Sequence, residues 1–303
     1  MTEAAGHQFS HLPPGSGRLG AAFARPKLLA ALCVVALAGL GWLYLAVMVA
    51  GMGGPAATFG PGMAALDWLP RPLALLCSPA LGIDLMPEGN SGLTAFGFLA
   101  PMWGAMVFAM MLPSAAPMIL TYAEIAEAAA RKGERIVSPF VLAAGYGIVW
   151  LAFAFAAALA QVLFARFALI DTGMMSESAL FSGAIFVGAG AYQFTALKHA
   201  CLTQCRRPFP FFFAHWQTTA RGVFRLGLTQ GLYCLGCCWA MMLLMFAVGV
   251  MNVVWMAGLG IVMTVEKMVS GPRFSRAVGA ILIVIGVATL AVSVAGNWPV
   301  SAN

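Results

Sequence analysis

Five of the seven cysteines of this 303-residue chain fall between positions 201 and 238, in two clusters. Cys201 and Cys205 form a C-x-x-x-C pair; Cys234, Cys237 and Cys238 form a C-x-x-C-C triplet. On a helix, spacings of three and four put side chains on one face, so each cluster presents its sulfurs together. His199 stands two residues before Cys201 and adds an imidazole. Thiolate and imidazole form a soft-to-borderline donor set that suits Cu(I) or Zn(II). An isolated membrane cysteine behaves as a small hydrophobe, and Cys33 and Cys77 are read that way. Packing alone is a poor account of five grouped at helical spacing. His7, His11 and His215 are read as ordinary solvated histidines.

Methionines extend the soft-donor pattern. Met102, Met106 and Met110 recur at every fourth position, one stripe on one helix face, and Met241, Met242 and Met245 follow the cysteine triplet by about one turn. Thioethers bind Cu(I) and compete poorly for zinc, so Met106, Met110 and Met242 are candidate ligands beside His199 and the five cysteines. Simple core packing is the alternative for such a stripe. Pro113 and Pro117 interrupt the same segment; proline there frees backbone carbonyls, which a membrane tolerates where protein or a cavity satisfies them. Tyr192 and Gln193, two turns before Cys201, are placed to support that cluster. Glu266 and Lys267 read as a local pair at the membrane edge.

The elements that must position these residues are transmembrane helices. Hydrophobic residues make up 62% of the chain and charged residues 9%, with mean hydropathy +0.91, against roughly 25% charged in soluble domains. So few charges cannot coat a soluble globule, and intrinsic disorder is excluded by the same figures. Spans of about 20 apolar residues are read at 28–49, 93–120, 139–164, 179–197 and 277–296. The apolar stretch 228–265 is close to twice that length and reads as a hairpin turning near Gly249 and Asn252. The fold class is therefore all-α, a polytopic transmembrane helix bundle of about seven spans, with six as the alternative. The first run is too long for a signal-peptide core and reads as a retained anchor. Small residues at Gly183, Ala184, Gly188 and Ala191 suit close helix packing.

The net charge of +6 resembles a nucleic-acid footprint until its distribution is read. With seven spans and a cytoplasmic N-terminus, every Lys and Arg except Arg71 and Arg166 falls on the inside, as the positive-inside rule prefers; six spans scatter them. No nucleic-acid partner is expected. The organisation follows: 1–27 a flexible cytoplasmic tail, 28–50 the first transmembrane helix, 51–92 a Pro/Gly-rich extracytoplasmic loop, and 93–297 a transmembrane metal-binding core. Both cysteine clusters then face the reducing side, which disfavours disulfides. One difficulty remains, because Cys238 lies about 15 Å into its span while Cys205 belongs near the surface. A single site needs the 206–231 loop to re-enter the membrane, with Phe209, Phe211, Phe212, Phe213 and Trp216 making it apolar enough. Two sites along a transfer path is the other solution.

Three segments carry a resemblance: WGAMVFAMMLP from Trp103 to Pro113, GAYQFTALKHACLTQC from Gly190 to Cys205, and GLYCLGCCWAMM from Gly231 to Met242. With GVMNVVWM from Gly249 and the pair Glu266–Lys267, they resemble a family of predicted metal-binding integral membrane proteins associated with copper delivery to copper oxidases such as tyrosinase. The likeness covers about residues 95–270. It implies Cys201, Cys205, Cys234, Cys237 and Cys238 as metal ligands, with Lys198 and Glu266 as recurrent polar residues; His199 stands where similar proteins often have Arg. The expectation is a multi-pass protein of a bacterial inner (plasma) membrane, a copper chaperone or transporter with lipid, copper ions and a copper-oxidase or membrane-protein partner. No nucleotide-binding motif is present, so ATP hydrolysis is not expected of the chain. The rival readings are a membrane thiol-disulfide oxidoreductase and a zinc-stabilised assembly subunit.

Overall fold

The computed structural model describes residues 26–51, 60–66, 92–167 and 178–294. Residues 1–25 of the expected 1–27 tail, most of the 51–92 loop, Cys77 and Arg71 lie outside the described residues, while Pro26 and Lys27 already belong to the first helix. Within them the chain is helical throughout: α1 Pro26–Gly51, α2 Gly92–Arg131, α3 Pro139–Arg166, α4 Ala179–Tyr192, α5 Ala196–Arg206, α6 Pro208–Ala214, α7 Ala220–Val248, α8 Val253–Met268 and α9 Arg273–Val294, with a short 3-10 turn at Met63–Leu66. Five helices (α1, α2, α3, α7 and α9) are long and apolar enough to cross a membrane. A sixth span is available if α4 and α5, bent by 64° at the break between them, count as one. The 16-residue α8 is the other half of the expected hairpin.

That hairpin turns where the sequence placed it. Gly249 adopts φ +99°, a conformation open to glycine at little cost, and Asn252 caps α8 by accepting a hydrogen bond from Trp255 N at 3.1 Å. Asn252 Nδ2 also donates to Val248 O at 3.3 Å and to Pro61 O at 3.0 Å, which ties the short 60–66 segment over the turn.

Helix α7 begins at Ala220, two turns before the apolar run, because Thr219 caps it by accepting from Gly222 N. Along its length it packs on α3 without intervening side chains: a Cβ on Gly227 would strike Leu142 O, and one on Gly145 would strike Phe224 O. Such close approach is the use membrane helices make of small residues, and it fixes the register of α3 against the cysteine-bearing face of α7. Gly183 and Gly190 of α4 meet Gly286 and Gly279 of α9 in the same way, while Gly188 faces open space.

Helix α2 is continuous for 40 residues despite Pro101, Pro113 and Pro117. Proline 113 removes the donor that would have bonded Ala109 O, and the indole Nε1 of Trp42 on α1 takes that carbonyl at 3.1 Å. Gly41, one residue earlier, allows α1 to lie directly on Ala105 and Ala109. An ion pair between Lys27 and Glu124 closes the same interface at one end.

Candidate metal centre

The triplet Cys234, Cys237 and Cys238 is buried in α7, and its three Sγ atoms all lie within 4.8 Å of one another. Zinc–sulfur bonds are about 2.3 Å, so two thiolates sharing one ion stand no more than about 4.6 Å apart. The cluster is therefore near the size an ion requires. Cys237 and Cys238 Sγ are 3.1 Å apart, and every described cysteine is a free thiol.

Cys205 joins from outside α7, its Sγ 4.0 Å from that of Cys237. This removes the difficulty of depth in the sequence reading. An unbroken fourth span over 179–197, as the apolar run suggests, would leave Cys205 near the surface. Instead α4 stops at Tyr192. Thr195 then caps a new helix, its hydroxyl accepting from Lys198 N at 3.3 Å, and α5 runs at 64° to α4 against α7. The segment after α5 also folds back onto the bundle: α6 buries Phe211 and Phe212, and Tyr122 of α2 packs against Phe212 and Trp216. Cys201 lies one turn back on α5, its sulfur over Gly236, where a Cβ would come within 2.6 Å of it. Glycine in C-L-G-C-C thus makes room for a cysteine of the other cluster.

The supporting residues divide into those expected and those missed. The Tyr192 hydroxyl donates to Gly236 O, and Gln193 Nε2 lies 2.8 Å from Met241 Sδ; both brace the cysteine turn of α7. Tyr146 and Ser114 carried no such expectation, and the sequence suggested Lys267 only as half of a local pair. Tyr146 of α3 places its hydroxyl 3.1 Å from Cys234 Sγ. Lys267 of α8 reaches the same sulfur at 3.1 Å and Ser114 Oγ at 2.7 Å. Only Lys267, a charge at the end of an apolar run, carried a sequence signal.

Glu266 and Lys267 are not the local pair the sequence suggested. Consecutive residues on a helix point about 100° apart, and here they serve different neighbours. Glu266 Oε2 meets Lys198 Nζ at 2.8 Å with both side chains buried. The carbonyl of Glu266, one of the last four on α8 and so without an intrahelical donor, accepts from Arg206 Nε at 3.0 Å and Nη2 at 2.8 Å. This double tie anchors α5 to α8 from both ends and holds Cys205 in place.

His199 is not brought to the sulfurs by any hydrogen bond. Its Nε2 is shut off from solvent without a partner, and the charged groups acting on the ring are Arg276, Lys198, Arg206 and Glu266. His215 bonds to Phe211 O and stacks on that ring. Met106, Met110 and Met242 are all buried in the core cluster, and every methionine whose burial is described, Met268 excepted, is buried with them.

A helical bundle with a buried cluster of three thiols is compatible with a metal-binding protein. The sequence model of the family described as PpoB2, copper chaperone, matches residues 100–289, more than half of the chain. The protein belongs to that copper chaperone family, as the segments around Trp103, Gly190 and Gly231 implied. No curated protein and no solved structure matches it.

Proposed function

We propose that the protein is a membrane-embedded Cu(I) carrier that captures copper on Cys205, Cys234, Cys237 and Cys238 and delivers it to a copper oxidase. The observation that carries this reading is the mutual approach of the three α7 sulfurs to within 4.8 Å, with Cys205 closing on them from α5. Family membership supplies copper as the cargo, and the chemistry of the donors favours the monovalent ion. Neutral thioethers are numerous in the same buried core as the cysteines, and thioethers suit Cu(I) far better than zinc. Cu(I) also accepts the two or three sulfurs that such a cluster offers. Cys201 stands beside this group as the first contact for copper arriving at the membrane edge, and Met106, Met110 and Met242 serve as relay donors.

Seven crossings fit the helices when α4 with α5 counts as one and α8 as another, with the N-terminus cytoplasmic and the cysteines toward the reducing side of a bacterial inner membrane. The distribution of Lys and Arg supports this orientation.

The test is metal content and Cu(I) titration of the purified protein against a triple variant, Cys234→Ser with Cys237→Ser and Cys238→Ser. Wild type should bind Cu(I) stoichiometrically in competition with a chromophoric chelator, and the variant should lose that binding. Unchanged copper binding in the variant, or a stoichiometric zinc in wild type that Cu(I) does not displace, refutes the reading.

A further inference from the structure

Three helices that reach the cysteine cluster also carry buried methionines. Helix α2 presents Met106 and Met110, and four residues on the same register reaches Ser114. Helix α8 presents Met256 and Met263, and four residues beyond Met263 the register reaches Lys267. Helix α7 presents Met242 one turn beyond Cys238. These methionines are all buried. Helices α2 and α8 lie together along these faces, since Met110 packs over Gly260, a Cβ there standing 3.8 Å away. The two registers end on one contact: Lys267 Nζ is 2.7 Å from Ser114 Oγ and 3.1 Å from Cys234 Sγ. The ammonium group thus stands where the thioether-lined faces of α2 and α8 run out and the thiols begin.

We propose that Lys267 is a gate between the cysteine site and the methionine-lined interior, its fixed positive charge keeping a monovalent soft cation on the cysteines until the side chain swings aside. The proposal rests on the reading of the cysteines as a Cu(I) site. A thioether is neutral, so a cation leaving the thiols for Met110 gains no opposing charge there. It must also pass within a few ångströms of the ammonium, in surroundings of low dielectric where repulsion between unit charges is strong. The adjacent Glu266 does not relieve that charge, because its carboxylate is turned to Lys198. Ser114 is the anchor that holds the gate shut: its hydroxyl accepts from Lys267 and donates to Met111 O at 2.9 Å. Lysine suits the task because its ammonium is a compact charge on a flexible four-carbon stem. A cation barrier at this point makes the protein a carrier that releases on demand, in place of an open copper leak.

The experiment uses the full chain in liposomes holding a trapped Cu(I) chelator, with Cu(I) supplied outside under reductant. Lys267→Met should pass copper to the chelator at least about tenfold faster than wild type, and Lys267→Arg, which keeps the charge, should restore the slow rate. Equal rates for wild type and Lys267→Met, at matched melting temperatures, overturn the gate. Should Lys267→Met fail to fold, Ser114→Ala frees the lysine without removing it; faster passage supports the gate and an unchanged rate overturns it. Equilibrium Cu(I) titration of wild type separates the two levels. Absence of binding there removes the copper site itself, whereas intact binding with indifferent passage removes only the gate.

Discussion

Lys198 is fully buried and Lys267 half-buried, and they meet opposite kinds of partner. Lys198 finds a carboxylate, Glu266, at 2.8 Å in a place closed to solvent. Lys267, one residue along α8 from that carboxylate, finds a thiol and a hydroxyl. The first arrangement is self-neutralising and joins two helices; its charge is spent on architecture. The second sets a cation against sulfur, and in the proposed copper site its charge acts on the ion held there. Burial of a charge therefore does not identify function in this molecule. The partner does.

Breaking the first pair gives the largest expected effect. Removing one member of a buried ion pair strands the other and costs about 3–5 kcal/mol, whereas replacing both with apolar residues is far less costly. Lys198→Met and Glu266→Gln should each lower the melting temperature in detergent sharply, and the double variant Lys198→Met with Glu266→Met should recover much of the loss. A thermal double-mutant cycle measures this. Additive losses in the cycle would mean that the pair is not coupled, and the contrast with Lys267 would fail.

The architecture was legible wherever composition or period carried it. Apolar runs announced α1, α2, α3, α7 and α9, and the turn at Gly249 was readable because glycine and asparagine are the residues that such a turn uses. The break after Tyr192 was not readable: Gln193-Phe194-Thr195 holds neither proline nor glycine, and only the capping potential of Thr195 marked a new start. The cysteines were found by spacing, which reports neighbours within one helix. The approach of Cys205 to Cys237, and of Cys201 to Gly236, depends on the 64° bend and on the tertiary tie between Arg206 and Glu266. Neither has a local signature. Tyr146 was invisible for the same reason, since the Gly145–Gly227 crossing that aims it at Cys234 is a property of two helices.

A smaller effect separates the two cysteines of α5. Cys205 stands 4.0 Å from Cys237, while Cys201 is set over the glycine of the same turn. Cys205→Ser should weaken Cu(I) binding by about ten- to a hundredfold, the range seen when a metal site loses a close supporting group. Cys201→Ser should leave equilibrium affinity within about threefold and slow copper uptake instead. Chelator competition measures the first and stopped-flow loading the second. Equal losses of affinity would show that both cysteines belong to one closed site, and the bend would then position four or five ligands together.

His199 sharpens the comparison at its quiet end, as the neighbour of Lys198 with neither carboxylate nor sulfur for a partner. Its Nε2 is shut off from solvent and bonded to nothing, and it lies in the field of three cations, Lys198, Arg206 and Arg276, against the one carboxylate of Glu266, a poor setting for a metal cation. An unsatisfied buried polar group costs about 1–3 kcal/mol that an apolar residue of similar shape need not. His199→Leu should therefore leave the melting temperature unchanged or slightly raised, and copper stoichiometry and affinity within about twofold of wild type. A measurable loss of Cu(I) affinity would place the imidazole among the ligands after all. It would also mean that a basic residue here can serve copper without touching a thiol in the resting structure, so that the partner seen at rest would no longer separate architecture from function.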